Sequence, residues 1–479
     1  MLIRNAEVWG HGLADVLIAD GKIAALFPPR NREGNREAAE RTLRERSAGR
    51  WTPTTTLSAV PLPEPGRIID AAGGALLPGL HDHHIHLAGL AVRAASVACG
   101  PPEVNTAEEL AARLRRPGAG WIRGIGYHES VMGLPDAHAL DALVPDRPLR
   151  IQHRSGRLWL FNSLALAELL ARADPPAGLD RSKGHLFDDD AWLQAALASN
   201  PPDFAAVSAD LARWGVTGVT DMSPRNDPVI AAHFARQRTA GSLRQHALLA
   251  GRLGDWTHGP AKLHLHEAAF PPFDDAVAFI AAAHEQGRGV AIHCVSEVEL
   301  VFALAAIEEA GPLPGDRIEH CSIAAPELVA RIAALDLSVC VQPHFVAERG
   351  DRYLADVEPR HHADLYRLRS LTAAGIALAG GSDAPFVSAD PWQAMAAAVS
   401  RRTASGQVIG GAEALTPEQA LALYFADPLD LTRQRRIAPG EPADLCLLDR
   451  PWAAARETLS AEVVRAAFVS GDRVYQAPV

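Results

Sequence analysis

Apolar and polar residues alternate through the first 27 positions, MLIRNAEVWGHGLADVLIADGKIAALF, with a tight turn at Asp20-Gly21. That period of two predicts a hairpin of half-buried strands. The far end repeats the pattern: ADLCLLD and AAFVSGDRVYQ read as short strands, the second turning at Ser470-Gly471-Asp472. A few strands at one end would be marginal alone, so both ends are expected to pair into one small β-sandwich domain, 1–75 with 434–479. Within the first of these segments, 28–66 is rich in Pro, Arg, Glu and Thr. It reads as a solvated insertion.

From Leu80 onward the pattern changes. Eight short apolar runs, LHDHHIH, VTGVTDM, LRQHALLA, AKLHLHE, GVAIHCV, RIEHCSI, LSVCVQP and IALAGGSDA, follow one another. Several are separated by helical stretches such as DDAVAFIAAAHEQG and PELVARIAALD. Strands alternating with helices in this number predict an α/β fold, a (β/α)8 TIM barrel over 76–433. One gap is too long for a single helix. Between His86 and Val216 an inserted subdomain is expected, about 95–202, in which WIRGIGYHES and LRIQHRSGRLWLFNS read as strand-to-loop segments rather than extra staves.

Composition narrows the class. A hydrophobic content of 48% and a charged content of 22% describe a globular chain with ample core. A net charge of −11 with no basic block excludes a nucleic-acid footprint. No run approaches the roughly 18 apolar residues of a membrane span, and the start lacks a signal-peptide pattern, so a cytoplasmic location without a membrane partner is expected. The five cysteines are scattered without a CxxC, which suits reduced, buried thiols.

In a barrel, chemistry collects where strands end. Those ends carry His84 and His86 on the first strand, Lys262 on the fourth, His293 on the fifth, His320 on the sixth and Asp383 on the eighth. The first strand is the densest: LLPGLHDHHIHLAGL holds four histidines and an aspartate within six positions. Side chains alternate faces, so His84 and His86 point one way, and His81, His83 and Ile85 the other. Ile85 belongs on the helix-facing side. The HxH pair is then left to share one metal ion, for which zinc is the ion that imidazole most commonly serves.

LLPGLHDHHIHL resembles the PGxxDxHxH signature of the amidohydrolase superfamily. The lysine in AKLHL, then HCVSE, RIEHC and GSDAP, follow in the family's order, and IAPGEPADLCLLD resembles its return to the β-sandwich. WIRGIGYHES, VPDRP and FNS are similar to the branch containing N-substituted formamide deformylase. Two positions depart from that branch: Ser155-Gly156-Arg157 stands where Asp-Gly-His is usual, and His266-Glu267 where Asp-Gly is usual.

The resemblance implies a hydrolase of a carbon–nitrogen bond in an amide, formamide or cyclic amide. It implies two divalent ions, Zn2+ foremost, with Mn2+ and Fe2+ as the other candidates. His84, His86 and Asp383 would hold one ion and His293 and His320 the other. Lys262, carboxylated to a carbamate, would bridge them. Lysine suits that role because, unlike arginine, it can lose its proton when buried, and only three lysines (Lys22, Lys183, Lys262) occur among 46 basic residues. A metal-activated hydroxide would attack the carbonyl, with Asp383 as general base and then acid. Contacts to a small-molecule substrate are expected from Arg157, Tyr127, Trp159, Gln342 and His344. His264 and His266 stand as additional ligands or substrate contacts. A homo-oligomer, a dimer by default, is implied. The alternatives are a mononuclear aminohydrolase deaminating a heterocycle, and a catalytically inactive binding or assembly paralogue.

Overall fold

The computed structural model describes residues 1–28, 68–101, 103–115, 117–197, 201–254 and 258–478. The insertion expected over 28–66 therefore lies, apart from Pro28, outside the described residues. The chain forms two compact units, one of residues 1–87 with 204–479, the other of residues 88–203.

In the first unit both chain ends enter one sheet. Its order is Asp472–Gln476, Val464–Val469, Leu445–Leu448, Ala75–Pro78, Leu2–Val8, Gly12–Ala19 and Lys22–Phe27, with Ile68–Asp70 also paired to Leu2–Val8. Ala75–Pro78 is the splice: it runs parallel to Leu2–Val8 and antiparallel to Leu445–Leu448. Hydrogen bonds thus join the strands expected to form a sandwich into a single sheet. Alternation along them fills two apolar clusters, Ile3, Val16, Leu76, Leu445 and Phe468 in one, and Leu2, Leu17 and Phe27 in the other.

Eight further strands of this unit are parallel. They are β1 (Leu80–Ile85), β2 (Val216–Asp221), β3 (His246–Leu249), β4 (Ala261–His264), β5 (Val290–Cys294), β6 (Arg317–His320), β7 (Ser338–Val341) and β8 (Leu378–Gly380). They pair in the orders β1–β2–β3 and β4 through β8. Two seams link the runs. At one, Lys262 N donates to Gly251 O at 2.9 Å; at the other, His86 N donates to Ala384 O at 2.8 Å and Asp383 N to His84 O at 2.6 Å. Runs such as Val290, Ala291 and Ile292 are fully buried, as strands covered on both faces must be.

Helices follow most of these strands. Glu297–Ala310 illustrates why they form: Ser296 and Glu299 close a capping box, and Leu300, Ala303, Leu304 and Ile307 bury one helical stripe. Asp227 and Asp390 cap Pro228–Thr239 and Pro391–Ser400 with their carboxylates. The architecture is a TIM-barrel-type α/β fold.

The second unit has its own mixed sheet, ordered Leu179–Asp180, His185–Phe187, Leu158–Phe161, Leu149–His153, Ile122–Tyr127 and Val97–Ala98. The segments WIRGIGY and LRIQH form strands of this sheet. Ile122, Leu149, Ile151 and Leu160 pack with one cluster, and Trp159, Phe161, Leu186 and Leu193 with another.

Candidate metal centre

The ends of β1 and β8 bring His84, His86 and Asp383 together, with ligand atoms within 4.8 Å of one another. Asp383 Oδ1 lies 3.1 Å from His86 Nε2 and 3.4 Å from His84 Nε2. The rings of His84 and His320 are 4.8 Å apart, and those of His320 and His293 4.4 Å apart. His320 and Asp383 both adopt positive φ, 70° and 57°, although neither is glycine. Such strained backbone at strand ends is a common property of functional groups.

The Nδ1 atoms on one side of this cluster are already engaged by protein. The fully buried Glu319 carboxylate accepts from His84 Nδ1 and also from Arg317 Nε. The Gln342 amide donates to Cys340 O, which turns its oxygen toward His320 Nδ1 at 2.8 Å. His86 Nδ1 is 3.0 Å from Ser223 Oγ. With Nδ1–H committed to Glu319 and Gln342, the Nε2 lone pairs of His84 and His320 remain free. That is how metal-binding imidazoles are held.

Charge states agree with this arrangement. Burial is the main cause that holds His84, His293 and His320 below the usual imidazole range, His293 at about 3. Lys262 adds to the effect at His84 and His293, and His84 adds to it at His320. These rings are neutral near pH 7, as ligation requires. Burial likewise lowers the Lys262 ammonium from its usual range, although Glu319 and Asp383 oppose that shift.

The fit to divalent ions rests on two orphaned atoms. Lys262 Nζ and His320 Nε2 are buried with no hydrogen-bond partner among the described residues. Burying polar nitrogens unpaired is costly, and a cation bound to them, directly or through a carbamate, would relieve that cost. Neutral imidazoles and a carboxylate are the donor set of zinc and its neighbours. A second trio, His84, Glu319 and Cys340, also brings its ligand atoms within 4.8 Å of one another. Burial raises the Cys294, Cys321 and Cys340 thiols, Cys321 to about 12.

Several expected substrate contacts have partners of their own. Tyr127 and Trp159 are buried inside the second unit, where Tyr127 donates its hydroxyl to Gly133 O at 2.7 Å and Trp159 its indole N–H to Asp190 at 2.6 Å. They are core groups rather than walls of an open site. Arg157 is exposed, but its guanidinium is already paired with Asp188. Gln342 is committed to His320, as described above. His344 begins the helix His344–Asp356 rather than ending β7, and its buried Nε2 contacts Asp390 O at 2.8 Å.

His264 ends β4 with its ring 4.4 Å from that of His293. His266 lies past the strand, exposed, with Nδ1 accepting from Ala268 N at 3.2 Å. The shared face of Lys262, His264 and His266 therefore stops at His264, because the strand does. Glu319 and Ser223 carried no signal in the sequence. Each acts through a contact more than 130 positions away.

A Tyr127→Phe variant tests the core assignment. It should lower stability by about 1 kcal/mol through the lost hydrogen bond. KM should stay unchanged, as thermal melting and steady-state kinetics would show.

Comparison with known proteins places these features in company. The model of the Amidohydrolase family matches residues 67–475. The YtcJ protein of Bacillus subtilis (strain 168) is 26% identical over 479 aligned residues, covering 85% of this chain and 90% of its own. N-substituted formamide deformylase of Arthrobacter pascens is 24% identical over 467, covering 80% and 85%. Among solved structures, an uncharacterized metal-dependent hydrolase from Pyrococcus furiosus is similar with a TM-score of 0.70 at 22% identity, over 94% of this chain and 98% of that one.

Proposed function

The chain belongs to the amidohydrolase family and is a hydrolase of carbon–nitrogen bonds, and we propose that it cleaves a small-molecule amide, formamide or cyclic amide at a centre of two divalent ions bridged by carboxylated Lys262. The observation that carries this reading is Lys262 Nζ, buried without a partner beside the histidine cluster. Burial disfavours the charged form of this amine; its neutral form can add carbon dioxide, and the resulting carbamate offers two oxygens where the free amine offers one nitrogen.

We read the eight parallel strands as one closed barrel that presents every candidate donor at a single rim. His84, His86 and Asp383 would hold one ion, and His293 and His320 the other. Ions held there lower the pKa of water toward neutrality and polarise a carbonyl. Asp383, 3.1 Å from His86 Nε2, is placed to accept a proton from the attacking water and return it to the departing nitrogen. Glu319 and Gln342 keep the imidazole lone pairs of His84 and His320 available throughout. Arg157, His264 and His266 are the remaining candidates for substrate contact. Among the described residues no helix is long and apolar enough to cross a membrane.

The test is metal analysis joined to a substrate panel. Protein purified without chelator should carry about two ions per chain and turn over at least one member of a set of N-formyl, N-acyl and cyclic-imide compounds. One ion with deamination of a heterocycle would favour the mononuclear aminohydrolase. An ion-free protein inert toward the panel would favour the inactive paralogue.

A further inference from the structure

We propose that Glu319 is a positioning residue that makes the His84 side the tighter of the two ion subsites; this rests on the two-ion reading above. β1 and β6 are not paired strands, yet β6 reaches β1 twice through buried groups. Glu319 accepts from His84 Nδ1, and Arg317 donates to His83 O at 3.0 Å. Arg317 also holds the Glu319 carboxylate through its Nε, so the chain of contacts runs Arg317–Glu319–His84. Every member is buried, Glu319 fully so.

The other subsite is built differently. There His320 is answered by the neutral Gln342 amide. Of the three candidate-ligand Nδ1 atoms with hydrogen-bond partners among the described residues, only that of His84 faces a carboxylate; His86, in the same subsite, places Nδ1 against the Ser223 hydroxyl and Nε2 near Asp383. A carboxylate on Nδ1 polarises the ring and strengthens electron donation from Nε2, whereas an amide oxygen orients the ring with little added charge. It also brings negative charge toward an ion on that side, in surroundings of low polarity where charge counts for more. Partners of this kind are worth about 10- to 100-fold in metal affinity. A structural ion pair would stabilise the barrel without favouring one subsite over the other. The two roles therefore separate in the ratio of ion affinities.

The experiment uses the full-length protein loaded with zinc, dialysed against graded 1,10-phenanthroline, with zinc per chain read by atomic absorption. Wild type should lose its ions in two steps, about tenfold or more apart in chelator. Glu319→Gln should move the tighter step down about tenfold and merge the two, with the weaker step unmoved. If the lone buried Arg317 prevents that variant from folding, Arg317→Met/Glu319→Gln removes both charges and should give the same merging. Gln342→Glu supplies the missing anion to His320 and should raise the weaker step.

A Glu319→Gln profile that matches wild type, or shifts both steps equally, would overturn the proposal. So would a Gln342→Glu profile that moves only the tight step. Should wild type hold a single ion, the two-ion reading fails. The role of Glu319 is then decided by whether Glu319→Gln releases that ion at lower chelator.

Discussion

Lys262→Ala is expected to lose about one of two ions per chain and to slow turnover about a thousandfold, equivalent to about 4 kcal/mol of transition-state stabilisation. The size follows from what the side chain would contribute. Its carbamate would be the shared ligand, so removing it weakens both ions and leaves the two poorly spaced. A purely structural lysine would give a different result. Lys262 Nζ has no hydrogen-bond partner, so its loss would relieve a buried, unsatisfied group rather than break an ion pair. Folding should therefore survive the change, and a melting curve of the metal-free variant would check it. Short carboxylic acids such as acetate or propionate should enter the cavity left by the side chain and restore part of the lost rate. Rescue should rise with acid concentration and be absent in wild type. A variant that keeps about two ions and full turnover would remove the bridge from the mechanism.

The frame of this site was legible because its information is local. Strand ends in a barrel converge, and the period of two separates His84 and His86 from His81 and His83 without reference to distant residues. The eight runs read as staves all form parallel strands, since each is a short apolar segment bounded by turn residues or helices. What escaped reading is long-range. Glu319 sits in RIEH as one more strand residue, and only the folded chain brings it to His84 from 235 positions away.

Aromatic residues misled for a related reason. Tyr127 and Trp159 occur in segments read as strand-to-loop stretches, and each lies in a strand of a separate sheet, with the side chain turned into a core. Val341 ends β7, so His344 does not continue that strand. Pro343 instead caps the start of a helix and carries His344 into it. His266 lies beyond the end of β4 at His264. The hydrogen-bonded ladder stops two residues earlier, and its register fails with it.

The other large effect is expected from His83 and His84, neighbours on opposite faces of β1. His84→Ala should abolish ion binding on its side and most activity, while His83→Ala should hold metal almost as wild type does. Both rings are buried to the same degree, so burial cannot distinguish them. Their contacts do. His84 presents Nε2 to Asp383, with Nδ1 committed to Glu319, and its loss removes a donor together with the group that aims it. His83 packs its ring 4.5 Å from that of His81, and neither of its nitrogens has a hydrogen-bond partner. Truncating it removes packing, for which about 2–3 kcal/mol of stability is a reasonable cost. His83→Ala should therefore melt lower yet retain zinc, whereas metal-free His84→Ala should keep Glu319 paired to Arg317 and remain folded. Zinc per chain should fall in His84→Ala and hold in His83→Ala, with the melting temperature of the metal-free proteins showing that both variants fold. The reverse outcome, with zinc lost from His83→Ala and kept by His84→Ala, would mean that β1 presents its other face to the ions, and the ligand assignments on that strand would pass to His81 and His83.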